Sequence, residues 1–492
     1  MLALVLLPSD GGMEARRTGN EVPRTLPPAA SQDAPDTAQW CRGVPIWPRT
    51  NIQAAIDAHR PGTTFCIKTG LHRLRRALIP KSRDRFIGAP GAVLNGSRRL
   101  KTFTRAGNSW VASRQRQQNP IVGGRCAPSA YRGCRYADHV FFDNRPLRRV
   151  MKRASVGPGT FYFDYSADKI YLGSRPFGHK VEAAVAPSAF QGIGVGAYDV
   201  TVRGLIVEKF AVDFRGAAIE GGRGWLVEGN EVRLNHGTGI TAQTIRGNFV
   251  HDNGLLGVGA NAPRVRIVNN EIANNHKWGG FCDCWETGGA KFVRTTHLLV
   301  QGNYVHNNRG PGLWSDYDNI YTTFENNLIV NNSGPGIFYE ASFNAVIRNN
   351  IIRGNGFGRI GWHQGAGVFV SASANVEIHD NIVDSNRDGI GAVQYSARGL
   401  NRRYGAREVR NLYVHDNTIV MRGGHTGLQT RFGVYYTAKN NRFEDNTYRL
   451  GCVEKPFVWR DPSGERDYVE MSKGVWVGVG NDTSSRFASI CA

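Results

Sequence analysis

Short runs of apolar residues, separated by glycine and asparagine, fill the second half of the chain from Asp199 onward. When these runs are aligned, an asparagine recurs at one position, an apolar residue follows it, and a second asparagine comes a few residues later in all but one unit. The first asparagines are Asn230, Asn248, Asn270, Asn303, Asn327, Asn350, Asn381, Asn417 and Asn441, and the second ones are Asn235, Asn253, Asn275, Asn308, Asn332, Asn355, Asn386 and Asn446. Such a repeat cannot bury its apolar residues alone, so the pattern predicts the stacked coils of a parallel β-solenoid. Asparagine tolerates the left-handed backbone of a coil corner, so we assign these residues structural roles.

The remaining segments divide the chain into a solenoid and flanking parts. Residues 40–100 predict an N-terminal cap with a short amphipathic helix, followed by the first coils. Residues 101–190 break the repeat and alternate apolar and polar residues between turn signals, which predicts a small inserted antiparallel β-domain. Residues 191–447 form the predicted solenoid core, and residues 448–492 a C-terminal cap. We interpret residues 1–39 as the remnant of an export signal and a disordered linker.

The chain of 492 residues carries a formal net charge of +21, spread along its length instead of forming a basic run. This charge fits either a solvated surface or attraction to an anionic polymer or cell wall. The sequence contains no helix-turn-helix, zinc-finger or RNA-binding motif, so we expect no nucleic-acid partner. The apolar run at the N-terminus is too short to span a bilayer, so we expect no integral membrane segment.

The chain has eight cysteines, and an even number is typical of disulfides in exported proteins. We therefore place the protein outside the cell or at the cell wall. Three pairings are predicted: Cys41–Cys66, Cys126–Cys134 and Cys452–Cys491. Cys282 and Cys284 are expected to share one face of a strand, either buried or disulfide-linked. A zinc site is the alternative for these two, although no second ligand pair lies near them.

Two near-copies of one unit lie side by side, and each ends a short strand with a carboxylate. Residues 310–316 read GPGLWSD, and residues 334–340 read GPGIFYE. Equivalent positions on neighbouring coils lie about 4.7–4.9 Å apart, so the repeat places Asp316 beside Glu340. Two adjacent carboxylates repel each other unless one is protonated or a cation lies between them. Such a pair is therefore costly for a surface that has only a structural role.

A glycosidase needs this arrangement, because one acid protonates the leaving oxygen while the other carboxylate attacks or assists. The alternatives are a solvated acidic patch and a calcium site built from Asp316, Asp318, Glu340 and Glu286. Counting four residues from the glycine that opens each strand aligns the pair with Gln243, Asn261, Cys284 and Ser371. No Lys or Arg falls beside the pair in this predicted column.

Insertions at 276–296, at 356–366 and around 395–410 interrupt the repeat, and insertions in a solenoid become loops on one side, often the binding side. We therefore select candidate substrate-binding residues around the pair: Trp314, Asp318, Glu286, Lys291, His363, Trp362 and Trp278. Glu286 and Lys291 could instead form a surface ion pair. Further candidates are His276, His306, Trp285 and Arg431.

The strands GLWSD at 312–316 and GIFYE at 336–340 resemble the active-site strands of β-helical retaining glycoside hydrolases, especially the β-xylosidase group. Those enzymes place the nucleophile on a Gly-Ile-Trp-x-Asp strand and the acid/base on a Phe-x-Glu strand one coil later. They also carry a small β-domain inserted near the start of the helix. Over residues 41–450 the chain is similar to the pectin-lyase-like superfamily. The resemblance implies an all-β, right-handed parallel β-helix with Asp316 as nucleophile, Glu340 as acid/base and no cofactor.

We therefore expect an exported carbohydrate-active enzyme, a retaining glycoside hydrolase that acts on a polysaccharide or oligosaccharide. One alternative is a polysaccharide lyase or epimerase that acts on a uronate polymer with a bound cation. Another is a glycan-binding solenoid without catalysis. The fold alone does not choose among them.

Overall fold

The computed structural model describes residues 41–491, except 120, 122, 285, 359–362 and 397. Within these residues the chain winds through three long sheets whose strands pair in parallel, apart from one antiparallel pair at the C-terminal end. A complete coil contributes one strand to each sheet in turn. The export-signal remnant and linker predicted at residues 1–39 lie outside the described part of the chain.

The three sheets are named here in the order in which a coil meets them. In the described residues the first sheet has 13 strands: Val44–Ile46, Thr64–Ile67, Arg85–Gly88, Thr201–Arg203, Leu226–Glu228, Thr244–Arg246, Arg266–Val268, Leu299–Gln301, Ile320–Glu325, Phe343–Arg348, Ala374–His379, Arg410–His415 and Arg442–Glu444. The second sheet, counted over the same residues, also has 13: Gly70–Arg73, Ala92–Asn95, Ile206–Glu208, Glu231–Arg233, Phe249–His251, Glu271–Ala273, Tyr304–His306, Leu328–Val330, Ile351–Arg353, Ile382–Asp384, Thr418–Met421, Thr447–Leu450 and Arg486–Ser489. The third sheet has 12 within the described ranges: Phe190–Gln191, Ala217–Glu220, Thr238–Thr241, Leu256–Ala260, Gly288–Val293, Leu313–Asp316, Ile337–Glu340, Ala366–Ser371, Asp388–Gln394, Thr426–Thr430, Phe457–Trp459 and Val469–Met471.

Apolar side chains that point inward from successive coils stack on one another and form the core. Val305, Ile329 and Ile352 occupy equivalent positions on three neighbouring strands of the second sheet, and all three are fully buried. Burial of such a side chain contributes about 1.5–3 kcal/mol relative to leaving it in water, so each coil stabilises its neighbours. The structure confirms the parallel solenoid that the repeat predicts.

Asparagine side chains join the coils at two corners, one on each side of the second sheet. At the first corner Asn303 Nδ2 donates to Asn327 Oδ1 (2.9 Å), and at the second corner Asn308 Nδ2 donates to Asn332 Oδ1 (2.9 Å). Both ladders are buried, and amide-to-amide hydrogen bonds of this kind repeat from coil to coil, which supports a structural role.

The predicted alignment of asparagines is wrong at its last unit. Asn446, and not Asn441, follows Asn417 in the first ladder, with Asn417 Nδ2 donating to Asn446 Oδ1 at 3.0 Å. Asn441 instead accepts from the backbone N–H of Leu412. The short helix Val434–Thr437 precedes this coil, which changes the spacing that the alignment assumed.

Two small sheets of largely antiparallel strands lie between Ser97 and Ala184, in the part of the chain where an inserted β-domain is predicted. One sheet has the strand order Arg145–Pro146, Val140–Phe142, Val181–Ala184 and Ser97–Leu100. The other has the order Arg148–Arg149, Thr160–Asp164, Lys169–Leu172, Ser109–Ala112 and Thr104–Ala106. Their own apolar cluster includes the buried Phe161, Ile170 and Leu172.

Short helices lie at the ends of the solenoid and in its loops. The α-helices in the described residues are Ile52–Ala58, Val434–Thr437 and Lys473–Gly478, and the 3-10 helices are Pro128–Ala130, Gly133–Arg135 and Arg153–Ser155. The first α-helix begins after Asn51, whose side chain accepts from the backbone N–H of Ala54 (3.2 Å) and caps the helix. A bilayer-crossing helix, long and apolar throughout, is not found among the helices that the structure describes.

All eight cysteines form disulfides, and the three predicted pairings are confirmed: Cys41–Cys66, Cys126–Cys134 and Cys452–Cys491. Cys282 and Cys284 are bonded to each other, so the zinc alternative is wrong. The expectation that they share one face of a strand is also wrong, because they lie in a turn of the first insertion. A bond between residues two apart closes a tight loop around Asp283.

Candidate active site

Two neighbouring strands of the third sheet carry the predicted carboxylate pair. The strand that ends at Asp316 pairs in parallel with the strand that ends at Glu340, and the register sets these two residues opposite each other. Side chains alternate along a strand, so the fully buried Ser315 and Tyr339 point inward and the carboxylates point outward. The side chains of Asp316 and Glu340 are 19% and 13% exposed. The structure therefore brings the pair together on the outer surface, within reach of solvent.

A glycine that opens each strand explains why these coils keep a constant register. A Cβ atom at Gly312 would lie 2.7 Å from the carbonyl oxygen of Gly336, and one at Gly289 would lie 2.5 Å from that of Gly312. No side chain fits at these distances, so only glycine allows the coils to approach at this corner. Gly289 is thus the equivalent of Gly312 on the preceding coil.

The predicted column around the pair is wrong on that preceding coil. Val293, and not Cys284, lies opposite Asp316. Counting from Gly280 gives Cys284, whereas Gly289 is the glycine that aligns with Gly312. Both glycines precede a plausible short strand, and the length of the insertion hides which of them aligns.

An aromatic row runs beside the carboxylates on the same outer face. The rings of Trp314 and Phe338 stack with centroids 5.4 Å apart, and Phe338 stacks on Phe369 at 4.7 Å. The ammonium group of Lys291 lies 3.6 Å from the centroid of the Trp314 ring, a cation–π contact. We call Trp314, Phe338 and Phe369 the aromatic row.

Lys291 also provides the counter-charge to one carboxylate of the pair. Its Nζ atom lies 3.0 Å from Asp316 Oδ2 and 3.2 Å from Glu286 Oε1. The side chain of Lys291 is 1% exposed, so solvent screens these contacts little. A basic residue therefore stands beside the pair, contrary to the column predicted from the sequence. Both predicted residues, Lys291 and Glu286, belong to this ion cluster.

Glu340 receives two hydrogen bonds, one on each carboxyl oxygen. Trp314 Nε1 donates to Oε2 at 3.1 Å, and the guanidinium of Arg398 donates to Oε1 at 2.6 Å. Burial raises the pKa of Glu340 above its ordinary value, and the charge of Asp316 raises it further, although Arg398 and the Trp314 hydrogen bond act in the opposite direction. The environment therefore favours the protonated form of this carboxyl more than water does.

The third insertion folds back as a hairpin of Leu400–Asn401 and Gly405–Ala406, two coils after the pair. Arg398 precedes this hairpin and Arg407 follows it. Arg407 donates to both carboxyl oxygens of Asp318, at 2.9 and 2.7 Å, and Asn401 donates to the same carboxylate at 3.1 Å. Asp318, a predicted substrate contact, is thus saturated by protein donors. The sequence predicts this insertion, but no pattern in it indicates either arginine.

A cavity of about 270 Å³ lies over the aromatic row. Trp314, Phe338, Phe369 and Glu340 line it, and Asp283 of the first insertion closes one side. A larger cavity of about 590 Å³ lies on the outer face of the first sheet, and neither carboxylate of the pair lines it. We place the candidate site at the smaller cavity because Glu340 borders it.

Several other predicted residues lie away from this cavity. His363 is buried against Gly391, and burial lowers its pKa to about 3, which argues against the predicted hydrogen bond to a sugar. Trp278 packs on His139 and donates to the backbone carbonyl of Asp252 (2.7 Å), so it holds a loop instead of lining the cavity. Trp362 and Trp285 lie outside the described residues.

The remaining candidates have partners within the protein or lie on another surface. His276 is buried and contacts Asp283 (3.0 Å) through Nε2. His306 lies on the second sheet and contacts Glu271 (3.1 Å), away from the third-sheet pair. Arg431 is exposed just after the third-sheet strand Thr426–Thr430.

The four residues predicted for calcium do not form a suitable ligand set. Each of their carboxylates has a Lys or Arg partner at 2.6–3.2 Å, which already compensates its charge. In the part of the chain that the structure describes, no group of three His, Cys, Asp or Glu side chains is placed to hold a metal ion. A divalent cation would first have to displace these basic groups.

Comparison with known proteins supports the fold. A family model described as a right handed beta helix region matches residues 215–366. No protein with a curated description matches the chain. Among solved structures, the chain is similar to the complex of XylC with xylose, at 15% identity and a TM-score of 0.62, over 81% of this chain and 80% of that one.

The chain is also similar to two further solved structures, at lower TM-scores. The A-module of the mannuronan C-5 epimerase AlgE4 from Azotobacter vinelandii is 16% identical, with a TM-score of 0.48, over 84% of this chain and 93% of that one. A family 28 exopolygalacturonase from Yersinia enterocolitica is 13% identical, with a TM-score of 0.31, over 82% of this chain and 68% of that one. The family model and the similarity to the XylC structure support the right-handed parallel β-helix fold, as predicted.

Proposed function

We propose that this protein is a carbohydrate-active enzyme that hydrolyses a glycosidic bond with retention of configuration. The observation that carries the proposal is the register that sets Asp316 opposite Glu340 on adjacent outward-facing positions. Carboxyl groups about 5–5.5 Å apart are typical of retaining glycosidases, and adjacent strands are separated by nearly this distance. The similarity to XylC, whose structure was solved with xylose, is consistent with the proposal through the shared fold.

Asp316 is the proposed nucleophile. Its contact with the buried Lys291 provides a positive charge beside the attacking oxygen, and that contact would loosen as a glycosyl ester forms and the carboxylate loses its charge. Lys291 is fixed from two further directions, by Glu286 and by the face of Trp314. In this role Lys291 positions the nucleophile and does not itself react.

Glu340 is the proposed acid/base. A general acid must hold a proton near the working pH, and burial together with the Asp316 charge shifts the pKa of Glu340 in that direction. Protonated Glu340 would donate to the leaving glycosidic oxygen and, once ionised, would accept a proton from the water that releases the sugar. Trp314 orients this carboxyl through its indole N–H.

The aromatic row is the proposed sugar platform. The apolar faces of pyranose rings pack on flat aromatic surfaces, and Trp314 and Phe338 present such surfaces to the cavity beside Glu340. Asp283, held by His276 and Arg309, lies at the rim of this cavity. Its pKa is lowered to about 2, first by the hydrogen bond from His276, so it stays ionised at neutral pH.

The test is a panel of aryl glycosides and polysaccharides, with products analysed by mass and by configuration at the released carbon. Hydrolysis adds one water to the products, and retention gives the same anomer as the substrate. Asp316→Asn should abolish turnover, whereas the control Glu325→Gln should not. Glu325 is a matched control because it is an outward carboxylate paired with Arg348 on the first sheet. Absence of turnover on the whole panel, or equal loss in the control, would contradict the proposal.

A lyase or epimerase that acts on a uronate polymer is the second candidate. The observation that favours it is the presence of two cations at the pair, Lys291 and the half-exposed Arg398, which could hold a substrate carboxylate while a base removes the neighbouring proton. A lyase would release unsaturated products that absorb ultraviolet light, and an epimerase would change configuration without cleavage. The same panel separates both outcomes from hydrolysis.

We also propose that the protein works outside the cell. Its four disulfides fit an oxidising compartment, and a glycan polymer would be met there. Activity of the secreted chain before and after reduction would test this proposal.

A further inference from the structure

A second cavity, of about 280 Å³, lies between the antiparallel sheets and the coils of the solenoid. The antiparallel region contributes His139, Arg148 and Arg149 to its lining, and the first insertion contributes His276 and Lys277. Among the described residues that line this cavity there is no Asp and no Glu. Its polar lining is therefore basic.

Arg149 is the most unusual member of this lining. It is 9% exposed, and in the described part of the chain no carboxylate lies within ion-pair distance of its guanidinium. One terminal nitrogen donates to the backbone carbonyl of Asp138, the other to the hydroxyl of Tyr165 (3.4 Å), and Nε has no hydrogen-bond partner. Buried charges are normally paired, because an unpaired ion in a protein interior is costly.

The carboxyl group of Asp138 compensates this charge only in part. It accepts hydrogen bonds from Asn119 and Tyr165, and burial raises its pKa even though these hydrogen bonds and the charge of Arg149 lower it, so its negative charge is disfavoured. The guanidinium of Arg149 instead lies over the rings of Tyr136 and Phe161, at 5.3 and 4.7 Å. These contacts hold the group in position without neutralising it.

One buried histidine adds unused polar atoms to the same cavity. His139 is 4% exposed, and neither of its ring nitrogens has a hydrogen-bond partner at proper geometry. Burial, followed by the charges of His236 and Arg149, lowers the pKa of His139 well below its ordinary value, while a weak contact with the Leu147 backbone opposes this. A neutral imidazole that keeps one N–H can donate it to a ligand.

We propose that this cavity, bounded by Arg149 and His139, is a binding site for an oxyanion: the carboxylate of a sugar acid, or a sulfate or phosphate group. An oxyanion would pair with the guanidinium of Arg149 and accept a hydrogen bond from His139. These contacts would satisfy Arg149 Nε and a ring nitrogen of His139, which have no hydrogen-bond partner among the described residues. Lys277 and Arg148 would add attraction at the rim. A neutral sugar carries no negative charge that could pair with Arg149.

The site lies beside the candidate active site. His276 and Arg309 line the oxyanion cavity, and both contact Asp283, which lines the cavity over the aromatic row. A glycan with an acidic substituent could therefore reach both cavities. The oxyanion site itself does not depend on the proposed hydrolysis; only the choice of a glycan as the source of the anion rests on it.

Calorimetry on the full chain tests the proposal with four probes: glucuronate, inorganic sulfate, inorganic phosphate and glucose. We expect at least one anion to bind, glucose not to bind, and affinity to fall as chloride is added. Arg149→Gln should weaken binding about tenfold to a hundredfold, because a charge-assisted hydrogen bond is lost. Lys277→Gln at the rim should weaken it about twofold to fivefold, and Lys101→Gln, an exposed lysine outside the cavity, should leave it unchanged.

The probes also identify the source of the anion. Binding of glucuronate alone indicates a sugar acid, whereas equal binding of sulfate or phosphate indicates that the site recognises the oxyanion itself. Catalytic variants at Asp316 and Glu340 should bind these anions normally, which separates this site from the proposed active site.

If Arg149→Gln does not fold, crystals of the wild-type chain soaked in selenate decide the question. An anomalous peak within hydrogen-bond distance of Arg149 and His139 is the expected result. The proposal is overturned if none of the anions binds, if Arg149→Gln binds them as well as the wild type does, or if selenate leaves the cavity empty.

Discussion

Two clusters of charged side chains on the solenoid differ in how their carboxylates are surrounded. The first cluster joins the antiparallel region to the coils, where the fully buried Glu182 contacts Lys209 (2.6 Å), Arg73 (2.5 Å) and Lys180 (3.2 Å). The second cluster is the pair Asp316 and Glu340 with Lys291 and Arg398. In the first, three cations surround the carboxylate of Glu182, and one of them, Lys209, also contacts Glu208 at 3.4 Å. In the second, two carboxylates lie side by side.

The pKa values of the two glutamates move in opposite directions as a result. Burial raises the pKa of Glu182, but hydrogen bonds from Lys209 and Arg73 outweigh it and lower the value to about 2. Burial raises the pKa of Glu340 as well, and the neighbouring Asp316 adds to that rise. The first carboxylate is fixed in its charged form, which suits a structural role. The second is poised to exchange a proton, which suits a catalytic one.

The largest expected effect is on activity at the second cluster. Glu340→Gln should lower turnover of unactivated glycosides about 10²- to 10⁴-fold, because the general acid is lost. The loss should be smaller for aryl glycosides whose leaving group needs no proton. Stability should change by less than about 1 kcal/mol, because the partner Arg398 is half exposed. Initial rates on both substrate types measure the activity, and urea unfolding measures the stability. A loss of stability that leaves so little folded protein as to account for the lost turnover would show that the cluster is structural.

The first cluster should show the reverse behaviour. Glu182→Gln should destabilise the fold by about 3–5 kcal/mol, because the buried Lys209 would lose its nearest carboxylate and keep only the longer contact with Glu208. Activity of the protein that remains folded should be unchanged. Urea unfolding measures the loss, with Glu325→Gln on the first sheet as the matched control, which should cost about 1 kcal/mol or less. A loss of unfolding free energy in Glu182→Gln no larger than that in the control would contradict a structural role for the first cluster.

The two clusters should also differ when stability is followed against pH. The pKa of Glu182 is lowered in the folded state, so its contribution is present above the ordinary Glu value and is lost as the pH falls toward about 2. Wild-type protein should therefore lose stability on acidification through this range, and Glu182→Gln should lose less. Urea midpoints between neutral pH and pH 3 provide the measurement. Parallel curves for the two proteins would contradict the assignment.

The smallest expected effect concerns Arg398 and the pH profile of activity. Activity should fall as the pH rises through the pKa of Glu340, because the general acid is then deprotonated. Arg398 lowers that pKa, so Arg398→Gln should move the basic limb to higher pH by about one unit or less, since the arginine is half exposed. Arg402→Gln, at an exposed position of the same hairpin, is the control and should not move the limb.

The fold could be predicted from the sequence because the repeat is local and regular. Asn303, Asn327 and Asn350 recur with apolar residues at fixed offsets, and each coil needs the next to bury them. The carboxylate pair followed from the same regularity, since equivalent positions of neighbouring coils must lie opposite each other. A periodic pattern therefore predicts both the core and which outward side chains of neighbouring coils lie opposite each other.

The insertions do not follow the repeat, so the sequence does not predict which residues of the coils they contact. The sequence places Lys291 in the predicted loop of the first insertion, whereas it lies on a third-sheet strand opposite Trp314, because Gly280 and Gly289 are both possible starts for that strand. Arg398 reaches Glu340 from a hairpin that is remote in sequence, and no periodicity encodes that contact. The buried Arg149 likewise depends on how the antiparallel sheets pack on the coils.

The central claim, that Asp316 attacks the sugar while Glu340 handles the proton, is tested most directly by trapping the covalent intermediate. Glu340→Gln should be incubated with an aryl glycoside that the panel identifies as a substrate, then digested and examined by mass spectrometry. The account predicts a glycosyl adduct on the peptide that contains Asp316, and none in the double variant Asp316→Asn with Glu340→Gln. An adduct on another residue, or turnover with inversion and no adduct, would contradict it.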